Sequence, residues 1–311
     1  MSAPFAVALF AASLSVTLWA ARSFARRLDR IGARFGLPEA VIGLLTAIGA
    51  DGPEISSALV ALAKGAHSTS VGVLVGSNVF NLAAMVGVSA LLTGSVALSR
   101  RDLAPEGALC AAVTAIVSAV LLRWIGAVAG ALLALAAIVP YGLWLRRAER
   151  RAVAHVGHQA AAAATRQLPA LVVVDAALII GGSIGMVQSA LSLSGRWGIS
   201  QSLLGALILG PLTSIPNAVT AIRLGLAGRS TALVGETFNS NAINLAIGVT
   251  IPALFVSVPA PSATGRLEIA LLVAMTAATL LALSRRRGIR RVEAAALIVA
   301  YAGFVAIVAL G

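Results

Sequence analysis

Charged residues are scarce in this sequence. Asp, Glu, Lys and Arg together make up 11% of its 311 residues, whereas water-soluble domains carry roughly 25% charged residues. Hydrophobic residues make up 59% of the chain, and the mean hydropathy is +0.98. The shortage of charge excludes an ordinary water-soluble domain and indicates a chain that folds in lipid.

Cysteine and histidine are rare as well. The single Cys110 excludes an internal disulfide and argues against redox chemistry. His67, His155 and His158 fall in predicted loops, where we expect solvated side chains. No Ser/His pair, two-aspartate arrangement or histidine cluster for a metal is apparent, so the sequence predicts neither an enzyme nor a resident cofactor.

Long apolar runs recur from end to end, and a helix of about 20 such residues crosses a bilayer. The sequence therefore predicts an all-α integral membrane protein. Ten spans are predicted, at residues 5–20, 37–63, 69–93, 103–122, 125–145, 168–191, 202–222, 231–258, 267–283 and 292–310. The first span lacks a basic leader, so we expect a retained anchor rather than a cleaved signal.

The basic residues predict the orientation of these spans, because Lys and Arg concentrate on the cytoplasmic side of membrane proteins. With the N-terminus outside, the inside loops hold 19 of the 23 basic residues, and the outside loops hold only Lys64, Arg123, Arg196 and Arg266. We expect both termini outside a cell (inner) membrane, and the net charge of +12 in contact with anionic lipid headgroups. The basic clusters lack interleaved aromatics, so no nucleic-acid partner is expected. The sequence gives no indication of oligomeric state.

The sequence repeats itself at an offset of 163 residues. SNVFNLA at 77–83 aligns with SNAINLA at 240–246, with five of seven residues identical, and Pro53 aligns with Pro216. Each copy contains five spans, and because five is odd the second copy enters the membrane from the opposite side. We therefore predict two inverted five-helix repeats, at residues 1–145 and 168–311, joined by a basic cytoplasmic linker at 146–167.

Pro53 and Pro216 each fall in the middle of a predicted span, where proline removes a backbone donor and clashes with the preceding turn. We expect both helices to break there. A broken helix in a membrane is tolerated where its freed backbone faces protein or a wet cavity, and it offers carbonyl oxygens to a cation. The paired breaks therefore predict a binding site near the bilayer midplane.

Acidic, hydroxyl and amide side chains gather around both prolines. A carboxylate at this depth costs roughly 2.5 to 3.5 kcal/mol, so Glu54 and Asp51 are expected to be functional. Hard cations such as Ca²⁺ and Na⁺ prefer oxygen ligands, and the lack of His or Cys argues against zinc or copper. The predicted ligands are Asp51, Glu54, Ser77, Asn78, Asn81, Thr213, Ser214, Asn217, Ser240, Asn241 and Asn244, with Glu236 as a candidate additional acid.

Residues 43–92 and 206–255 resemble the two alpha-repeats of the cation/Ca²⁺ antiporter superfamily, which contains the sodium/calcium exchangers. The repeats of that family read roughly G-T-S-x-P-E followed by G-S-N-x-x-N or G-S-N-x-x-D, and GSNVFN at 76–81 is an intact example. The resemblance implies ten helices in inverted fives and an ion site where the second, third, seventh and eighth helices cross. It also implies gating by sliding of the first and sixth helices, with the transported cations as partners.

The sequence departs from this family pattern in its acids. Glu54 is retained, but Asn217 stands where the second repeat normally has glutamate, and Asn244 is neutral where sodium/calcium exchangers often have aspartate. Ala50 and Asp51 replace the Thr-Ser of the first repeat. Fewer carboxylates weaken divalent binding more than monovalent binding. Two neighbouring acids can also share a proton, which makes H⁺ a candidate coupling ion beside Na⁺.

Structural roles are the alternatives to ion binding. Glu54 can belong to a helix capping box, and Asp51 and Ser214 can be N-caps of second half-helices. The repeated serines and asparagines can simply hold helices together.

Two further acids have their own alternatives. For Glu236, a salt bridge to Arg223 or Arg229 is expected rather than a ligand role. Asp175 stays open between a gate and a residue that snorkels to the membrane surface.

The predicted function is a secondary antiporter that exchanges Ca²⁺ or a related cation for Na⁺ or H⁺ by alternating access. In this prediction Glu54 is the shared ligand that cannot serve both ions at once. Two alternatives remain open, a cation channel that uses the same carbonyls and a degenerate, non-transporting regulatory member suggested by Asn217.

Overall fold

The fold consists almost entirely of helices. The computed structural model describes residues 1–34, 48–153, 168–257, 259–285 and 288–310. The helices are α1 (Ala3–Arg34), α2 (Gly52–Ala63), α3 (His67–Thr93), α4 (Arg100–Leu121), α5 (Ala127–Val153), α6 (Leu168–Trp197), α7 (Gln201–Leu226), α8 (Ser230–Leu245, Ala246–Thr250 and Ile251–Ala253), α9 (Ala263–Leu283) and α10 (Arg291–Leu310). Two short strands, β1 (Ser95–Val96) and β2 (Ile289–Arg290), pair antiparallel.

Each of the ten predicted spans overlaps one of these helices, which confirms the all-α membrane fold. Eight of the described helices are long and apolar enough to cross a membrane. The other two are α2, whose preceding residues 35–47 lie outside the described part, and α8, which carries polar site residues. Large apolar side chains such as Leu132 and Val173 are exposed, as expected for surfaces that face lipid. The protein is a multi-pass membrane protein.

The predicted ends of two spans are too early. Helix α1 continues to Arg34 rather than ending near residue 20, and α5 continues to Val153. Ala, Arg and Leu, which follow the first span, are good helix formers, and neither Gly nor Pro interrupts residues 21–31. Much of the predicted basic loop sequence is therefore helix that extends beyond the apolar core. Residues 154–167 of the predicted linker lie outside the described residues.

The internal repeat is visible in the element boundaries. Helix α2 ends at Ala63 and α7 at Leu226, and α3 begins at His67 and α8 at Ser230, so both pairs are 163 residues apart. The turn between them uses Gly65 (φ 75°) in the first copy and Gly228 (φ 71°) in the second. This left-handed conformation suits glycine, which has no Cβ. The two aligned glycines therefore form the same type of turn in both repeats.

The two proline-bearing segments differ. Helical residues 48–50 end before a bend at Asp51, and α2 starts at Gly52, so the expected break near Pro53 is present. The expected break at Pro216 is wrong, because Pro216 lies inside the continuous helical segment Gly210–Leu226.

The irregularity in α7 takes another form, a π-helical segment at Leu204–Leu209 just before the proline. A proline is tolerated inside a membrane helix when nearby groups satisfy the backbone around it. Here the Thr213 hydroxyl donates to the carbonyls of Leu209 (2.8 Å) and Gly210 (3.0 Å), and the Thr220 hydroxyl donates to that of Pro216 (2.9 Å). The irregular segment of α7 thus lies upstream of Pro216, and the helix continues through the proline.

The loops gather at two ends of the molecule in the way the charge alternation requires. His67, Leu121, Ser202 and Pro259, all in or beside loops predicted outside, line one cavity. At the other end β1 pairs with β2, and Arg100 Nε donates to the Ser284 carbonyl (3.1 Å). Both of these contacts join loops predicted inside.

Helices α1 and α6 form a long two-helix pair at the side of the molecule. They approach closely because α6 offers Gly182 and Gly185 to Ser13 and Thr17 of α1, where a Cβ on either glycine would clash. The pair touches the rest of the described structure mainly through α2.

An ion pair joins α1 and α6 near the ends that are predicted to lie inside. Arg27 Nη1 lies 2.5 Å from Asp175 Oδ2, and the same guanidinium donates to the Leu171 carbonyl (3.0 Å). Asp175 is 1% exposed. Asp175 therefore does not snorkel to the membrane surface, and its role as a gate stays a prediction.

Candidate ion-binding site

The eleven predicted ligands are buried in α2, α3, α7 and α8 or at their ends, and hydrogen bonds join nine of them, all except Ser77 and Thr213, into one network. None of them is more than 3% exposed. The crossing of α3 and α7 is tight because glycines bring the two backbones into contact. A Cβ on Gly76 would lie 2.2 Å from the Ala206 carbonyl oxygen, and one on Gly210 would lie 2.8 Å from the Ser77 nitrogen.

The two carboxylates of α2 and its N-terminal bend meet polar groups of α7 and α8. Ser214 Oγ donates to Glu54 Oε1 (2.9 Å), and Asn217 Nδ2 donates to Asp51 Oδ1 (2.7 Å). Asp51 Oδ1 also accepts from Ser240 Oγ (2.6 Å). A longer contact of 3.5 Å joins Asn217 Nδ2 to Glu54 Oε1. Both acids are thus held side by side by neutral donors from the second repeat.

Asn78 and Asn241 bond each other across the centre of the site. Asn78 Nδ2 donates to the Asn241 carbonyl (3.2 Å), and Asn241 Nδ2 donates to the Asn78 carbonyl (3.1 Å). These residues are 163 positions apart, so the repeat offset exchanges them and the reciprocal bonds straddle the pseudo-two-fold axis. Their polar side-chain atoms are therefore engaged in joining the two repeats.

Asn81 and Asn244 are a second symmetric pair, and each is held by its amide nitrogen. Asn81 Nδ2 donates to Asn241 Oδ1 (3.0 Å), and the equivalent contact from Asn244 Nδ2 to Asn78 Oδ1 is 3.5 Å. The side-chain oxygens of Asn81 and Asn244 are buried without a hydrogen-bond partner. Each amide is therefore fixed with a free oxygen.

Four buried oxygens in this site lack partners, namely Asp51 Oδ2, Glu54 Oε2, Asn81 Oδ1 and Asn244 Oδ1. A buried polar atom without a hydrogen bond is costly and calls for an explanation such as an ion. Carboxylate and amide oxygens are the donors that Ca²⁺ and Na⁺ accept. The donor set therefore fits a hard cation.

The remaining predicted ligands bond within their own helices. Ser77 Oγ donates to the Leu74 carbonyl (3.0 Å), and the Thr213 hydroxyl donates to α7 carbonyls as described above. Each hydroxyl oxygen retains the capacity to accept a bond or to coordinate. Their assignment as ligands stays a prediction.

The capping alternatives are wrong in this structure. Asp51 occupies the N-cap position of α2, but its side chain makes no capping hydrogen bond. Glu54 bonds Ser214 and Asn217, and it makes no hydrogen bond to the amide of the N-cap residue Asp51, so it forms no capping box. Ser214 lies inside α7 and caps nothing.

The salt bridge predicted for Glu236 is also wrong. Among the described residues the ion pairs are Arg27–Asp175 and Arg290–Glu293, and Glu236 is in neither. Glu236 is half-buried on α8, one helical turn before Ser240. Its assignment as an additional ligand stays a prediction.

Sequence reasoning missed one buried acid, one half-buried acid and one matched hydroxyl pair. Glu268 is 2% exposed and accepts from Ser202 Oγ, and Glu106 Oε2 accepts from the Tyr141 hydroxyl (2.6 Å). The available signal was an isolated acid within an apolar span. The missed pair is Ser57 and Thr220, each of which donates to the carbonyl of the proline four residues earlier; the 163-residue offset already aligned them.

Comparisons with known proteins agree with this architecture. The sequence profile of the family described as "Sodium/calcium exchanger protein" matches residues 5–146 and 168–310. The proposed antiporter CaxA of Alkalimonas amylolytica is 26% identical over 302 residues, covering 94% of this chain and 94% of CaxA.

Two solved structures share the fold. The sodium-calcium exchanger NCX_Mj is 19% identical with a TM-score of 0.64, covering 98% of this chain and 99% of that one. YfkE is 15% identical with a TM-score of 0.69, covering 99% and 97%.

Proposed function

The chain belongs to the sodium/calcium exchanger protein family of cation antiporters, and we propose that it exchanges Ca²⁺ or a related cation for Na⁺ or H⁺ at the site between α2, α3, α7 and α8. The observation that carries this proposal is the set of four unpartnered buried oxygens on Asp51, Glu54, Asn81 and Asn244. Ions compete for these oxygens, and this competition couples their movements in opposite directions.

Within the site we divide the residues by what their contacts leave free. Glu54 is the central ligand, since its carboxylate is buried and keeps one free oxygen. Asn81 and Asn244 offer the symmetric amide oxygens. Asn78 and Asn241 act as positioning residues, because their side chains hold those two amides in place.

Alternating access requires part of the protein to move past the site. The α1–α6 pair is suited to this motion because its two helices pack along their length on each other and only lightly on the rest. The Arg27–Asp175 ion pair holds them together as one body. We propose that this pair slides across α2 to open the site to either side.

We further propose that the protein lies in the cell (inner) membrane with both termini outside. The support is the concentration of Lys and Arg in loops at one end of the molecule. The basic ends of α1 and α5 then lie at the cytoplasmic surface, among anionic headgroups.

The test is uptake of radiolabelled Ca²⁺ into proteoliposomes under an imposed Na⁺ or pH gradient. We expect Glu54→Gln to lower gradient-driven uptake by at least about tenfold, because the variant loses a buried charge that contacts the ion. Glu293→Gln, a surface change of the same kind, is the matched control and should transport like the wild type.

Two results would contradict the proposal. Uptake that persists without any counter-ion gradient indicates a channel instead of an antiporter. Undiminished gradient-driven uptake by Glu54→Gln would show that Glu54 is not a ligand of the transported ion.

A further inference from the structure

Both carboxylates with free oxygens in the ion site come from the first repeat. The 163-residue offset aligns Asp51 with Ser214 and Glu54 with Asn217. The second repeat therefore supplies no carboxylate at either position, and the negative charge of an otherwise symmetric site is asymmetric.

The hydrogen bonds show how this asymmetry is accommodated. The contact of Ser214 with Glu54 (2.9 Å) and that of Asn217 with Asp51 (2.7 Å) are exchanged by the repeat offset, so each is the symmetry image of the other. In both contacts a neutral donor of α7 faces a carboxylate of the first repeat. Asp51 thus lies directly beside Asn217, where a symmetric site would have its second glutamate.

The environment of Asp51 calls for a charge rather than a structural polar group. Its side chain is 1% exposed, makes no capping bond and leaves Oδ2 without a partner. A buried carboxylate is costly unless an opposite charge compensates it. In the described structure no basic side chain forms an ion pair with Asp51, so its charge is balanced either by a proton or by a bound cation that takes the place of the proton.

We propose that Asp51 supplies the negative charge that Asn217 lacks, so that two carboxylates, both from the first repeat, surround one divalent cation. This inference rests on the proposed function, because it concerns the charge of the same site. It makes Asp51 a specificity-determining ligand, since two negative charges favour a divalent over a monovalent cation.

The test transfers one carboxylate from position 51 of the first repeat to position 217 of the second. Asp51→Ser combined with Asn217→Glu makes the two repeats identical at both positions, with a serine and a glutamate in each. The matched control is Asp51→Ser with Asn217→Gln, which has the same side-chain length and no charge. Gradient-driven Ca²⁺ uptake in proteoliposomes and the Ca²⁺- or Mn²⁺-induced rise in melting temperature in detergent are measured for each variant.

We expect Asp51→Ser alone to lower uptake by at least about tenfold and to abolish most of the Ca²⁺-induced shift, as removal of a buried charged contact does. The serine/glutamate double variant should recover uptake to within about threefold of wild type, because the number of carboxylates is restored. The glutamine control should not recover.

Two outcomes overturn the proposal: Asp51→Ser that transports and binds Ca²⁺ like wild type, or a folded serine/glutamate variant that recovers neither property. If Asp51→Ser fails to fold, Asp51→Asn replaces it, because the amide keeps the Oδ1 acceptor and removes the charge. A different result would refute the proposed function itself. Wild type that takes up neither Ca²⁺ nor a related cation such as Mn²⁺ under any gradient refutes it. The melting shifts still decide whether a carboxylate introduced by Asn217→Glu replaces that of Asp51.

Discussion

Asn78 and Asn241 each hold several other groups of the site in place. Each amide donates to the other repeat's backbone, and each side-chain oxygen receives the amide nitrogen of Asn244 or Asn81. Replacing Asn78 therefore removes the bond that holds Asn244, and replacing Asn241 removes the bond that holds Asn81. Either change also removes a hydrogen bond between the two repeats.

At the residue scale we expect Asn78→Ala and Asn241→Ala to have similar effects, because the repeat axis exchanges the two residues. Hydrogen bonds between membrane helices contribute about 0.6 kcal/mol on average and up to about 1.7 kcal/mol. Each variant should therefore melt a few degrees below wild type in detergent and transport more slowly. A variant of either residue that melts and transports like wild type contradicts the positioning role.

The sequence predicted which residues meet at this scale, but not their roles. The 163-residue offset and the cost of intramembrane charge were sufficient to select Glu54, Asp51 and the asparagines. Only contacts between helices distinguish Asn78, which is fully bonded, from Asn81, which keeps a free oxygen. The two have the same chemistry, so no sequence pattern separates them.

At the element scale, α3 and α7 depend on glycine for their close approach. Gly72 and Gly76 of α3 face Gly205 and Gly210 of α7 so closely that an added Cβ would meet backbone atoms at 3.0 Å or less in each case. Small residues at such crossings are common in membrane proteins, because they let helices pack without side chains between them. This contact places Ser77 and Asn81 beside α7.

We expect Gly76→Ala to destabilise the protein by about 1 to 3 kcal/mol, the usual cost of overpacking. A Cβ at this position would lie 2.2 Å from the Ala206 carbonyl oxygen. The matched control is Gly181→Ala on α6, where an added Cβ meets nothing within 4 Å. Thermal unfolding in detergent measures both, and equal melting temperatures for the two variants would contradict the close-contact explanation.

Proline shows the limit of prediction for single elements. The same rule predicted a break at Pro53, which is present, and at Pro216, which is absent. Proline removes a donor wherever it occurs, but whether the helix breaks depends on which groups satisfy the backbone around it. In α7 the hydroxyls of Thr213 and Thr220, on either side of the proline, bond carbonyls of their own helix, and a π-helical segment precedes it. The presence of proline alone predicts none of these local adjustments.

At the scale of the whole molecule, the loops define two faces. The strands β1 and β2 join two loops at one face, and the cavity lined by His67 and Ser202 joins others at the opposite face. From the distribution of Lys and Arg we propose that the first of these faces lies at the cytoplasm.

This orientation is tested with two serine-to-cysteine variants in a Cys110→Ala background. Ser95 and Ser257 are both exposed, one at each face. In right-side-out vesicles a membrane-impermeant maleimide should label Ser257→Cys at once and Ser95→Cys only after permeabilisation. The reverse pattern would invert the topology, and immediate labelling of both would contradict the alternation of spans.

The class of protein, the ten spans, their inversion and the residues that meet at the centre could all be predicted from the linear sequence. Each of these follows from hydropathy, charge placement or an odd-numbered repeat, which are properties that a linear chain already carries. Tertiary contacts establish which oxygens are free, that Asp51 faces Asn217 and that Asp175 pairs with Arg27. These depend on distances between segments far apart in the chain, and such distances exist only once the helices have packed.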